Sequence, residues 1–340
     1  MRIKTRFQQF LKYQFEQKTF FRFKKNKVFL PFVLLILTIS LMLIAVAGAS
    51  RFVNVFSYLI DWKIISQLLI SGIALGISGY IIQRLTKNRL ADSSLLGMGN
   101  INLVILTVLF LIFDFGQLQV QRRIEYILPF IYLIGSLIIC FFIHFLCNSS
   151  GGYIFKRIII SGIVINLITI VIAQSLRILM SKESSMYLKI ILLGNIESRT
   201  DFCFYFCLAM LIISIIWLMA NSTKLKIMVT NQQLSEQLGI NSKSLTLQTF
   251  VCISLLVSTS YSLSGNVIFV GIVAANVAFN YAKNKICNGI INAGLMGGIV
   301  LLVSYIFVVL ILKLSADQVI LLVPIISGPY FLYKVILLKN

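Results

Sequence analysis

The chain has 340 residues, of which 59% are hydrophobic and only 12% are charged, and its mean hydropathy is +0.97. This composition excludes a soluble globular protein, because too few polar residues are present to cover its surface, and it indicates a polytopic membrane protein. The formal net charge of +20 would suit a nucleic-acid-binding protein, but the Lys and Arg residues lie in the N-terminal segment and in short connectors. Basic connectors are typical of membrane topology, so we expect no nucleic-acid partner.

The first 27 residues form a strongly basic segment with nine Lys or Arg among several Phe and Tyr residues. The basic stretch is too long for the leader of a signal peptide, and no clean small-residue cleavage site follows the first apolar run. We therefore predict a cytoplasmic N-terminal arm, residues 1–27, that lies on anionic lipid headgroups and helps to set the orientation of the chain.

The remainder, residues 28–340, contains ten apolar runs of about the length that crosses a bilayer. Each is predicted to be a helix, because in lipid a helix satisfies its own backbone groups. The predicted spans are 28–49, 64–82, 94–113, 126–147, 153–176, 202–220, 245–263, 267–281, 289–312 and 319–338. The sequence thus predicts a single all-α transmembrane domain with both termini on one side.

The basic connectors indicate which side that is. With the N-terminus inside, 21 of the 30 Lys and Arg residues lie in cytoplasmic segments and nine lie outside, as the positive-inside rule requires. Without the N-terminal arm the count is twelve against nine, so the arm carries much of this inference. We expect both termini to be cytoplasmic.

Two spans hold more small or hydroxyl residues than contact with lipid requires. In the second span, Gly72 and Gly76 form a GxxxG pair that would let another helix approach closely, and either tight packing or a pore lining would explain it. The seventh span ends in STSYSLSGN. These hydroxyls either bond carbonyls of their own helix or line a water-filled route.

The connector at 221–244 is the longest cytoplasmic connector in the second half of the chain. Within it, Thr230 and Gln233 have the spacing of a capping box, Leu234 and Leu238 are one turn apart, and Gly239 is a stop signal. We predict a short amphipathic helix on the inner face of the membrane. It is either passive or fitted to a groove on a separate motor.

The sequence lacks the motifs of an enzyme or of a resident cofactor. It contains no GxxxxGK[ST] loop for ATP, no nucleophile elbow and no HExxH. The six cysteines have no CxxC spacing, and His144 is more typical of packing than of a proton relay. Charges deep in the spans are nearly absent, which argues against a proton-coupled transporter.

Four segments then follow one another along the chain. The first contains Gly72, Leu75, Gly79 and Gln83 and continues into NRLADSSLLG at 88–97. The others are LLGNI at 192–196, LSEQLGI at 234–240 and SGNVIFVGIVAAN at 264–276. They resemble, in the same order, four segments of the permease subunits of iron-siderophore and cobalamin type ABC importers. The first is similar to GxxLxxxGxxxQ followed by NPLADPxxLG, the second to WLxGSL, the third to the coupling region with its LG, and the fourth to AGPIGFVGLIVPH.

The chain departs from that pattern at several positions. Arg89 and Ser93 replace both prolines of NPLADP, Asn276 replaces the histidine of VPH, and Phe279 replaces the basic residue that follows. Loss of the prolines is expected to relax local kinks. The departures suggest one half of an asymmetric pair with a second, related permease.

The resemblance implies a type II ABC importer permease fold that works as a dimer. Two cytoplasmic ABC ATPases, with ATP and Mg, would drive it, and an extracellular substrate-binding lipoprotein would deliver the cargo. ATP binding would close the ATPases, which would pull on the coupling helices and switch the side to which the path opens.

The resemblance also implies roles for individual residues. The coupling segment, 230–242, would contact the ATPase through Gln232, Gln233, Leu234, Ser235, Glu236, Gln237, Leu238 and Gly239. The translocation path would include Gly72, Gly76, Gly79, Gln83, Ser258, Ser260 and Ser262. Docking of the binding protein would use Arg51, Arg122 and Arg123, since external cations steer an acidic partner.

We therefore expect a permease subunit that moves ferric siderophore across the bacterial cytoplasmic membrane by ATP-driven alternating access, with no ATPase site or cofactor of its own. A haem or cobalamin importer of the same fold stays open, since base rate within the family is all that favours siderophore. A non-transporting membrane scaffold would explain the missing motor but not the ordered motifs.

Overall fold

A computed structural model describes residues 29–49, 55–113, 118–149, 152–192, 199–281 and 285–338. The predicted arm at 1–27 lies outside the described residues. The helices are α1 (Phe29–Ala49), α2 (Val55–Thr86), α3 (Met98–Ile112), α4 (Leu118–Cys147), α5 (Lys156–Arg177), α6 (Lys182–Leu192), α7 (Asp201–Ala220), α8 (Ser222–Thr230), α9 (Gln232–Gln237), α10 (Ser242–Ser264), α11 (Val270–Tyr281), α12 (Ile286–Tyr305) and α13 (Val319–Leu338). There are also 3₁₀ turns at Ser94–Leu96 and Ala316–Gln318, a π-helical stretch at Ile306–Ile311, and an antiparallel hairpin of β1 (Asn148–Ser149) and β2 (Gly152–Tyr153).

The described helices account for the ten predicted spans. Six are long and apolar enough to cross a membrane: Trp62–Thr86, Ile124–Cys147, Arg157–Arg177, Asp201–Ala220, Ser242–Ser264 and Ile286–Ile311. Four shorter apolar helices are Val33–Ile44, Met98–Ile112, Val270–Tyr281 and Ala316–Tyr330. Each of the ten overlaps one predicted span, so the all-α polytopic fold class is confirmed.

Helix α2 lies at the centre of the bundle and packs along α10, α11 and α12. It is the most buried of the six long spans, with 83% of its apolar window inside the protein, whereas the corresponding window of α5 is 28% buried. Helices in lipid gain no hydrophobic free energy by associating, so a central helix depends on close backbone contact made by small residues.

Glycines on one face of α2 provide that contact. A Cβ added at Gly72 would collide with the backbone of Gly297 in α12, and one added at Gly79 would lie 2.6 Å from the Cα of Gly271 in α11. Gly76, between them, also faces the backbone of α12. The helices therefore touch backbone to backbone at these three glycines, as the packing alternative expects.

Helices α3 and α11 are short because the chain before each is irregular. Residues 87–97 connect α2 to α3, and residues 265–269 connect α10 to α11. Positive φ angles occur at both ends of each segment: at Lys87, Gly97, Gly265 and Phe269. We call these segments the first break (87–97) and the second break (265–269).

The first break persists although Arg89 and Ser93 stand where the family has proline. An irregular segment therefore forms here without either proline, and the expected relaxation relative to the family stays a prediction. Lys87 has a φ of 52°, and the side-chain Oδ1 of Asn88 accepts a hydrogen bond from the backbone N–H of Leu90 at 2.9 Å. An asparagine turn of this kind competes with the helix without any proline.

Two described elements have no counterpart among the predictions. Helix α6 lies in the connector between α5 and α7 and buries Ser184, Leu188 and Ile191, while its other side is exposed. At eleven residues it is too short and too polar to register as a span. The β1–β2 hairpin is likewise too short for a sequence signal.

Candidate coupling and transport sites

Helix α9, in the predicted coupling segment, is a short helix with defined ends. Asn231 is its N-cap, and the Asn231 side chain accepts a hydrogen bond from the backbone N–H of Leu234 at 3.2 Å. The predicted capping box is wrong, because Thr230 belongs to the last turn of α8 and its hydroxyl donates to the Lys226 carbonyl at 2.8 Å. Asn231 has the extended backbone that a cap requires.

The predicted stop at Gly239 is confirmed. Gly239 has a φ of +76°, which glycine adopts without strain. Its N–H donates to the Glu236 carbonyl at 3.0 Å, and the N–H of Ile240 donates to the Ser235 carbonyl at 2.8 Å. These two bonds form a Schellman motif, which satisfies carbonyls that the end of a helix leaves open.

One buried side chain joins α9 to the first turn of α10. Ser235 is fully buried, and its hydroxyl lies 2.9 Å from that of Ser242. The opposite side of α9 is exposed: Leu234 is 46% exposed and Leu238 is 59% exposed. A helix that is held by a serine and turns two leucines outward is suited to a partner with an apolar groove.

The hydroxyl residues proposed for the path are fully buried within the chain. The Ser258 hydroxyl donates to the Leu255 carbonyl at 3.0 Å, and the Ser262 hydroxyl donates to the Ser258 carbonyl at 2.6 Å. The own-helix alternative therefore holds for these two serines. Ser260 differs, since its hydroxyl has no hydrogen-bond partner within the described residues.

Gln83 is also buried, at 1% exposed, and both polar atoms of its amide lack a hydrogen-bond partner in the described part of the chain. Burying an unsatisfied amide is costly, so Gln83 and Ser260 are the two residues of the predicted path whose polar groups packing does not explain. The path assignment of the whole set stays a prediction.

The predicted docking residues lie largely beyond what the structure describes. Arg51 is outside the described residues. Arg122 and Arg123 belong to α4, but their side chains are outside the described part of the chain. Their role stays a prediction.

Sequence reasoning missed a charged cluster on the side predicted to be outside. The Lys63 amine lies 2.6 Å from a carboxylate oxygen of Asp201 and donates to the Arg199 carbonyl at 2.7 Å. Arg199 itself is 2% exposed. The pKa of the nearby Tyr187 is raised to about 12, mainly by burial and also by the charge of Glu125. Lys63 lies in α2, Asp201 begins α7 and Arg199 precedes it in the connector, so the contact joins segments far apart in the chain and no local sequence pattern could have revealed the cluster.

Two departures from the family pattern contact each other at the end of α11 that is predicted to be cytoplasmic. The Arg89 guanidinium lies 5.4 Å from the centre of the Phe279 ring, and that of Arg84 lies 4.4 Å from it. Both distances are in the range of cation–π attraction. Arg84 also donates to the Tyr80 hydroxyl at 3.0 Å. Two cations, one from the end of α2 and one from the first break, thus pack on the Phe279 ring.

Within the described ranges, no group of three His, Cys, Asp or Glu side chains is placed to hold a metal ion. The Cys203 and Cys207 side chains share one buried face of α7, and the Cys203 sulfur lies 4.0 Å from the Ser262 carbonyl. Two thiols packed against a neighbouring helix are fewer than a tetrahedral metal site needs.

Comparisons with known proteins agree with this architecture. Residues 28–337 match the FecCD transport family. The iron-uptake system permease protein FeuC of Bacillus subtilis is 27% identical over 266 residues, which cover 78% of this chain and 79% of that protein. The petrobactin import system permease protein YclO of Bacillus subtilis is 21% identical over 279 residues, which cover 82% of this chain and 87% of that protein.

The fold is also similar to the solved structure of a metal-chelate type ABC transporter in an inward-facing conformation. That likeness has a TM-score of 0.75, at 16% identity, over 91% of this chain and 100% of the other. At this sequence identity the structural likeness shows the fold alone. With the family match over nearly the whole chain, the conclusion is that this protein belongs to the FecCD transport family and has the fold of a type II ABC importer permease.

Proposed function

We propose that the chain is the membrane-spanning subunit of an ABC importer that carries ferric siderophore into a bacterial cell by ATP-driven alternating access. The observation that carries the proposal is helix α9, which turns Leu234 and Leu238 outward from a connector of a FecCD-family permease. Two exposed leucines one turn apart on a capped, anchored helix have the arrangement of an amphipathic helix that binds an apolar groove of a partner.

In this proposal the partner is a cytoplasmic ABC ATPase. The leucines enter a groove on the ATPase, as an amphipathic helix does. When ATP binding closes the two ATPases, α9 is displaced, and the buried contact between Ser235 and Ser242 passes the displacement to α10. ATP and Mg are bound by the ATPase, and this chain supplies the path and the coupling contact.

The other partners follow from the same proposal. A second, related permease completes the path. The apolar face of α5, the most exposed of the long spans, is available to that subunit or to lipid. An extracellular binding lipoprotein delivers the cargo to the outer ends of the helices, where Arg51, Arg122 and Arg123 meet its acidic residues. Both termini are in the cytoplasm.

Ferric siderophore is the cargo that the relatives favour. FeuC is described as an iron-uptake permease and YclO as a petrobactin permease. Ferric siderophores are bulky chelates in which the iron is already coordinated, so the protein needs no metal ligands of its own to carry them. A path with few fixed charges is compatible with such a cargo.

The proposal is tested by reconstitution. The chain is co-expressed with the neighbouring permease and ATPase genes, and the purified complex is placed in proteoliposomes with the binding protein outside. Uptake of radioactive iron bound to petrobactin, to a hydroxamate siderophore or to haem is measured with and without ATP. We expect a co-purifying complex with two different permeases and ATP-dependent uptake of a siderophore.

Three outcomes would contradict parts of the proposal. ATP-dependent uptake of haem alone would overturn the assigned cargo and leave the importer intact. A self-sufficient homodimer, or a chain that co-purifies with no ATPase, would count against the asymmetric pair or the coupling role, respectively.

A further inference from the structure

The two breaks meet at one buried carboxylate. Asp92, in the first break, is 1% exposed. It accepts hydrogen bonds from the Ser94 hydroxyl at 3.1 Å and the Ser93 hydroxyl at 3.5 Å. It also accepts the backbone N–H groups of Ser93 and of Phe269, the last residue of the second break. Asp92 therefore joins two segments that are far apart in sequence.

The contact lies at the beginning of helix α11. The first N–H groups of a helix have no carbonyl partner within it, and the helix dipole favours a negative charge there. A Cβ added at Gly271, in the first turn, would collide with the Asp92 carboxylate. The carboxylate thus sits against the end of α11 as a cap supplied by another segment, and glycine leaves the space for it.

Burial of a carboxylate away from water is expensive unless donors surround it. Asp92 has four donors, two hydroxyls and two backbone N–H groups, and the Phe269 N–H is the one that comes from outside its own segment. Separating the two breaks would remove one of these four donors from a carboxylate that water does not reach. It would also leave the end of α11 uncapped.

The first break also follows α11 towards its other end. The Asn276 side-chain amide, midway along α11, donates to the Arg89 carbonyl at 2.8 Å. Near the end of α11, the Arg89 guanidinium lies 5.4 Å from the centre of the Phe279 ring. Contacts at the beginning, the middle and the end of α11 fix the first break along the helix.

We propose that Asp92 is a positioning residue: by capping α11 from the first break, it makes residues 87–97 and α11 move as one body during transport. Irregular segments between helices ordinarily act as hinges. Here the cap removes that freedom, so a displacement at the end of α2 reaches the second break instead of being absorbed. This inference rests on the proposed function, because the displacement it describes is that of the ATP-driven cycle.

The cap is tested first, on the purified complex, by hydrogen–deuterium exchange. Losing an N-cap weakens the first turn of a helix enough to speed exchange about tenfold, so Asp92→Ala should speed exchange of the amides at 269–272 by about that factor. Asp92→Asn keeps one acceptor and loses the charge, so it should have a smaller effect and keep the fold. Glu183→Gln, an exposed change on α6, is the control. Unchanged exchange at 269–272 in both Asp92 variants would overturn the cap.

The transport role is tested by the ratio of radioactive iron siderophore taken up to ATP hydrolysed. A residue needed only for stability would lower the amount of active complex, and with it uptake and hydrolysis in proportion. Asp92→Asn is instead expected to lower the ratio at least several-fold while hydrolysis per complex stays within about twofold of the wild type. An unchanged ratio would overturn the positioning role.

The two measurements separate failure of this inference from failure of the proposed function. Faster exchange with an unchanged ratio would overturn the positioning role and leave the importer assignment standing. A wild-type complex without ATP-driven uptake would overturn the proposed function, and the positioning role with it, while the exchange experiment would still decide the cap.

Discussion

Gly79→Ala gives the most direct test of whether the glycines of α2 pack or line a path. An added Cβ would lie 2.6 Å from the Gly271 Cα, whereas ordinary van der Waals contact begins at 3.4 Å. Both neighbouring groups are backbone, so neither can rotate aside. Helices α2 and α11 would have to separate by roughly 0.8 Å, the difference between these two distances.

The cost of that separation follows from two opposing effects. A gap of this size forfeits a quarter to a half of the dispersion attraction between the surfaces, and overpacking of a core costs about 1–3 kcal/mol. Alanine also has a higher helix propensity than glycine by about 1 kcal/mol. Gly328→Ala in α13 is the control for an added methyl group in open space, because no neighbour lies within 4 Å of the added Cβ. Pro329 follows it, so its gain in helix propensity is smaller than that of Gly79→Ala.

The assay is the midpoint of thermal unfolding of the purified complex. It is monitored as the fraction of the complex that remains monodisperse after heating. We expect Gly79→Ala to unfold several degrees below Gly328→Ala, and Gly328→Ala to stay close to the wild type. Equal midpoints for the two variants, with altered uptake in Gly79→Ala alone, would refute the packing role. That result would mean that the methyl group enters open space, as the path assignment predicts.

Further predictions concern the coupling helix and the charged cluster. Replacing Leu234 and Leu238 with Asp should leave the permease in the membrane but abolish co-purification with the ATPase, and normal ATP-driven uptake would contradict the coupling role. Asn231→Ala removes the cap of α9, costs about 1 kcal/mol, and should weaken ATPase binding by about fivefold in a titration. Gly239→Ala adds a side chain at positive φ with no steric contact, so it should cost about 1 kcal/mol through backbone strain alone and weaken the same binding. Lys63→Met should lower the unfolding midpoint only slightly, because partly exposed ion pairs contribute less than about 1 kcal/mol.

The spans were predictable from sequence because lipid allows so few alternatives. A run of about twenty apolar residues has to be a helix, and the ten predicted runs overlap the ten apolar helices of the structure. The stop at Gly239 was predictable for a similar reason, since a residue at positive φ after a helix is most often glycine. Both inferences depend on local backbone chemistry alone.

Other features depend on which segments meet, and a single sequence does not contain that information. Asn231 and Thr230 are both good caps by residue type, and what decides between them is that α8 continues through Thr230. The cluster of Lys63, Asp201 and Arg199 forms because α2 lies beside the beginning of α7. The second break is the clearest case, because Phe269 has no local feature that would point to Asp92.

The departures from the family pattern become interpretable once these contacts are known. Arg89, Asn276 and Phe279 differ from the family, and in the structure they contact one another: Asn276 donates to the Arg89 carbonyl, and Arg89 packs on the Phe279 ring. A proline at position 89 would supply neither the guanidinium nor its contact with the ring. Asn276 bonds the backbone carbonyl of residue 89, which any residue there would supply, so the departures whose side chains depend on each other are Arg89 and Phe279. Restoring the family residue at 89 or at 279 alone should consequently weaken the contact between the first break and α11, whereas restoring both together should weaken it by less than the sum of the two single changes, because residues in contact do not add independently.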